Sequence, residues 1–194
     1  MAFDGCTIGF GLGRFTAPDD NASTLTKVTT SGATGTSDAG GDLLAQALAL
    51  HNAGNTVETA KLYNQILTTD AKNKYALFNL GVIAQTNKNY DEAVVKYTAA
   101  IAVDPTFYSP LYNLGLAYAA KGDRANAIAS LRKAIVADPN AAQAYYNLGT
   151  LLVQDGKNDE GAKMLNQAFT LNPSLKPAAS PTTVAPAPAT TVKR

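Results

Sequence analysis

The tripeptide Asn-Leu-Gly occurs at 79–81, 113–115 and 147–149, so the chain returns to the same three residues every 34 positions. A proline preceded by Asp or Asn stands at 105, 139 and 173, and Ala100, Ala134 and Ala168 keep the same interval. Several independent markers on one period mean a repeat array, in which each unit buries its apolar face only against its neighbours.

Each unit reads as two helices. In residues 74–107, Leu77, Leu80, Gly81 and Ala84 fall at helical spacing, and Asn87-Lys88-Asn89 interrupts them. A second run follows with Ala93, Tyr97, Ala100 and Ile101, and Asp104-Pro105 closes it, because proline cannot continue a helix. Small residues at 81, 115 and 149, and again at 93, 127 and 161, allow the paired helices to approach closely. Gly122 and Gly156 fall in the turns, where left-handed backbone costs glycine little. The acidic pairs Asp91-Glu92 and Asp159-Glu160, early in second helices, suit the positive end of a helix.

This pattern resembles the tetratricopeptide repeat. It is carried by Y-A-L-F-N-L-G…N-Y-D-E-A…Y…A…D-P at 75–105 and recurs at 110–139 and 144–173. The expected fold is all-α, an α-solenoid of four stacked hairpins: a degenerate unit at 40–73, then 74–107, 108–141 and 142–173. Residues 1–39 form a Gly/Ser/Thr-rich arm, and residues 174–194 a tail with four of the nine prolines. Prolines 173, 177, 181, 186 and 188 forbid a terminal capping helix. The last apolar face, near Leu165 and Phe169, is therefore expected to be partly uncovered.

The resemblance implies a concave groove lined by the first helix of each pair, suited to an extended peptide. By register its first row is Leu44, Phe78, Tyr112 and Tyr146, its second Leu48, Val82, Leu116 and Thr150, and its third His51, Gln85, Ala119 and Val153. Chaperone-binding members of the family clamp a peptide carboxylate with Lys and Asn in the first two rows. None of the eight residues here is Lys, Arg or Asn, so a neutral or apolar segment is expected instead. The ladder Asn79, Asn113 and Asn147 is a candidate for hydrogen bonding a peptide backbone, against the more ordinary role of bonding between helices.

Little else carries chemistry. The net charge of +1 gives no reason to expect nucleic acid or an anionic membrane, and no stretch is apolar enough to span a bilayer. The single cysteine, Cys6, excludes an intrachain disulfide and has no neighbours at metal spacing. His51, the one histidine, has no nucleophile or carboxylate in an evident constellation, so neither catalytic residues nor metal nor cofactor is expected. Gly9-Phe10-Gly11-Leu12-Gly13 lacks the Lys-Ser/Thr ending of a phosphate loop. Asn21-Ala22-Ser23 is a possible glycosylation sequon.

The first expectation is therefore a non-enzymatic protein-binding scaffold. The rival is a self-assembling subunit of a surface or extracellular filament. In it an arm bearing Phe3, Phe10 and Phe15, or the array end at Leu165 and Phe169, would contact the next copy. Only 16% of the residues are charged, which favours a bacterial envelope or extracellular setting. A native start at Met1 without a signal sequence would favour the cytoplasm.

Overall fold

In the computed structural model, which describes residues 39–176, the chain forms four consecutive helical hairpins. They are α1 (Ala39–Asn52) with α2 (Thr56–Thr69), α3 (Lys74–Thr86) with α4 (Tyr90–Val103), α5 (Tyr108–Ala120) with α6 (Arg124–Ala137), and α7 (Ala142–Gln154) with α8 (Asn158–Leu171). A 3₁₀ turn, Pro173–Leu175, follows. The expected all-α solenoid is what the chain adopts. The arm, with Phe3, Cys6, Phe10, Phe15 and Asn21, and the tail beyond Lys176 lie outside the described residues.

The period reappears in the local geometry. Within each hairpin the turn passes through one left-handed residue: Gly54, Gly122 and Gly156 at φ near 80°, and Lys88, in the same register, at 60°. Asn55, Asn89 and Asp123 cap the second helices by accepting from the backbone N–H three residues on. The fourth such position is Lys157, which offers no cap. Each second helix ends on Asp70, Asp104, Asp138 or Asn172, whose side chain accepts the amide two residues later. Asp70 does so without a following proline, so the aspartate turn, reinforced by Pro105, Pro139 and Pro173 elsewhere, directs the chain into the next hairpin. Helices α4 and α6 stop two residues before their prolines, as the extended backbone preferred ahead of proline requires.

The core is a chain of clusters set between successive hairpins. Tyr63 and Ile66 of α2 pack with Ala76, Leu80 and Ile83 of α3. Tyr97 and Ala100 of α4 meet Leu114 and Ala117 of α5. Ile128 and Leu131 of α6 meet Leu148 and Leu151 of α7, while Ala134 packs on Ala144. Within the hairpins the small residues leave no spare room. A Cβ on Gly81 would lie 2.5 Å from the Tyr97 ring, and one on Gly149 would lie 2.9 Å from the Gly161 carbonyl oxygen. First helix α3 lies directly beside first helix α5, and a side-chain bond links α5 to α7.

The first-helix face

The first-helix face carries a run of rings. Tyr75 meets Phe107 edge-on at 5.7 Å, and Phe107 in turn lies 5.5 Å from Phe78. Tyr108 stacks on Tyr112 at 5.7 Å, with only 17° between the planes, and Tyr146 meets Phe169 at 6.3 Å. Lys74 lies over both Tyr75 and Phe107 at 5.2 Å while donating to Asp104 at 2.6 Å. That ammonium, with the Thr106 hydroxyl and amide, holds the Asp104 carboxyl down to about 2.

Of the residues expected on this face, Leu44, Val82, Tyr112, Leu116, Tyr146, Asn147 and Thr150 are half-buried and reach the surface. Phe78, Asn79 and Asn113 do not: they are 2, 3 and 7% exposed. Phe78 is drawn inward because the space between Tyr97 and Phe107 needs a ring to fill it. The Asn79 amide donates to the Tyr75 carbonyl at 2.9 Å. Asn147 donates at 2.9 Å to the Tyr112 hydroxyl, a bond that ties α7 to α5. The asparagine ladder is thus largely occupied by the fold, and the accessible lining is aliphatic and tyrosyl. Desolvation raises the Tyr112 phenol above its ordinary range, with the Asn147 bond opposing it, so the ring presents a neutral hydroxyl. Thr150 returns its hydroxyl to the Tyr146 carbonyl at 2.9 Å.

His51 departs from the pattern of its register. Two positions in each hairpin face one another, and in the second hairpin Tyr97 donates its hydroxyl to Gln85 at 3.0 Å. In the first hairpin the same register positions hold Tyr63 and His51, and the Tyr63 hydroxyl and His51 Nδ1 are buried with no hydrogen-bond partner among the described residues. Burial holds the His51 imidazole below its ordinary 6.5. His51 thus holds a buried, unsatisfied imidazole nitrogen within the first hairpin, which neither a catalytic nor a groove role anticipates. The 34-residue alignment of His51 with Gln85 and Tyr63 with Tyr97 was the available signal.

Among the described residues no group of His, Cys, Asp and Glu is disposed to hold a metal ion. No helix among them is long and apolar enough to cross a membrane.

Residues 112–175 match a family model described as tetratricopeptide repeat, and residues 86–122 match a second described as TPR repeat. No curated protein is similar in sequence. Among solved structures, a crystal structure of MamA superposes with a TM-score of 0.66 at 21% identity, covering 80% of this chain and 89% of that one. MamA 41-end from Desulfovibrio magneticus RS-1 gives 0.63 at 22% identity, covering 72% and 79%. A tetratricopeptide repeat protein from Parabacteroides merdae gives 0.63 at 19% identity, covering 69% and 54%. At such identities the likeness is one of fold.

Proposed function

Because the chain is a tetratricopeptide repeat protein, we propose that it is a non-enzymatic scaffold whose first-helix face holds an extended, uncharged segment of another polypeptide. The observation carrying this reading is that Tyr112, Leu116, Tyr146 and Thr150, with Val82 and Leu44 nearer the start of the array, share the first-helix register and are all half-buried and uncharged. Tyrosine contributes contact area at little rotamer cost and keeps a hydroxyl for polar groups of the segment. Asn147, the ladder member that reaches this surface, is placed to add a backbone hydrogen bond through its free carbonyl oxygen.

The test is selection of peptides from a random display library on the full chain, followed by titration of the winners. Enriched sequences should be apolar and uncharged, and Leu116→Ala and Tyr146→Ala should each weaken them by about tenfold, the usual size of a lost anchor. Tyr112→Phe separates the hydroxyl from the ring without opening a cavity. Enrichment of acidic or C-terminal carboxylate peptides, or affinity indifferent to these substitutions, would refute the groove.

The rival reading, a subunit that assembles with itself, places its arm contacts at Phe3, Phe10 and Phe15, outside the described residues. The ends of the array bear on it, as follows.

A further inference from the structure

The two ends of the array are built differently. At each internal joint a first helix presents one face to the hairpin before it: Ala76, Leu80 and Ile83 in α3, and Ala144, Leu148 and Leu151 in α7, all buried. In α5 the same positions are Pro110, Leu114 and Ala117, also buried. In α1 they are Asp42, Gln46 and Ala49, and all three are exposed. The receiving side shows the reverse. Tyr97 and Leu131, which take these faces on α4 and α6, are 0% exposed. Their counterpart on α8, Leu165, is half-exposed, one turn before Phe169, which is half-exposed like its register mates Ile101 and Ile135.

One internal joint, α4 with α5, adds an ion pair in this register; the equivalent position in α6 is the uncharged Ala125. Lys121, one turn beyond Ala117, pairs with Asp91 at the start of α4. Two periods on, α8 presents Asp159, exposed, at the equivalent position. The α8 face therefore keeps the apolar seat of the internal joints together with the carboxylate that the α4–α5 joint uses.

We propose that the α8 face is a docking site for one amphipathic helix of another polypeptide. That helix carries a small residue, then leucine, a small or aliphatic residue, and lysine, at the spacing of Pro110, Leu114, Ala117 and Lys121. The occupant is specified by continuity with the internal joints and by charge complementarity at Asp159. A second copy stacked head to tail does not fit, because its α1 would press Asp42 and Gln46 into Leu165 and Phe169 and strip both of water. The site adjoins the first-helix groove at the Tyr146–Phe169 contact, so Leu165 and Asp159, away from that contact, tell the two apart.

The probe is a lactam-stapled peptide of residues 108–122, stapled because so short a helix is marginal alone. Its binding to the full chain is followed by fluorescence anisotropy. Saturable binding is expected, weakened about tenfold or more by Phe169→Asn or Leu165→Asn, as for loss of a central apolar anchor. Asp159→Lys should cost about threefold at low salt and little at high salt, as for an exposed ion pair. Leu116→Ala, in the groove, should change nothing. Circular dichroism checks folding; if Leu165→Asn unfolds the last hairpin, Phe169→Asn and Asp159→Lys carry the test. The proposal is overturned by no binding, by binding indifferent to Phe169 and Asp159, or by binding lost equally in Leu116→Ala. It is also overturned by a concentration-dependent dimer that Phe169→Asn dissolves, which would make a second copy the occupant.

Discussion

Single residues decide how well each copy of the repeat is satisfied. Tyr97 and Gln85 complete one another, whereas Tyr63 and His51 leave two buried polar atoms unpaired. Replacing His51 with Gln should give Tyr63 the partner that Tyr97 has and raise stability by about 1 kcal/mol, measured by urea unfolding. Two pH windows follow. The folded His51 resists protonation, so between its lowered value and 6.5 the unfolded chain binds more protons, and stability declines as pH falls below 6.5. His51→Gln should flatten that window. Asp104 is held at about 2 against an ordinary 3.8, so its contribution is complete above 3.8 and is lost as pH falls through 2. Asp104→Asn should remove that acid-side loss in a thermal-melt series.

At the scale of the element, the hairpins depend on close approach and on capping. The Gly149 and Gly161 backbones face one another, and an added Cβ at 149 meets a carbonyl oxygen that cannot rotate away. Gly149→Ala should cost about 1–3 kcal/mol, as for overpacking, and more than Gly115→Ala, whose nearest obstacle is the Leu131 side chain. Comparative melting temperatures check the order. Helix α8 starts at Lys157 without a side-chain cap, although its three counterparts are Asn55, Asn89 and Asp123. Lys157→Asp should raise stability by about 1 kcal/mol in the same assay. The lost Lys157–Asp155 pair, more than half exposed on the lysine side, offsets little of that.

For the whole molecule, stability in a repeat array is a sum of unit and joint terms, so the ends are the weak points. Amide exchange should be slowest in α4, α5 and α6, which are covered on both sides. It should be faster in α1 and α8; native-state exchange with mass-spectrometric readout measures this. A uniform protection profile would mean that the ends are covered. The same asymmetry gives the molecule two surfaces of different chemistry, a tyrosyl and aliphatic strip along its first helices and an apolar seat with a carboxylate at its last.

The repeat period alone determined the hairpins, their number and the close-packed glycines, because those features depend on residue type at fixed spacing. It also marked Leu165 and Phe169 as under-covered, since prolines rule out another helix directly after them. What only the tertiary structure decided was which side chains of a lining register remain at the surface. Phe78, Asn79 and Asn113 share that register with Tyr112, Tyr146 and Asn147, yet they are buried. The difference lies in what the next hairpin brings: Phe107 folds over Phe78, and the equivalent Ala141 leaves Tyr112 partly open. Burial is set by neighbours from the following repeat, which spacing within one unit does not specify.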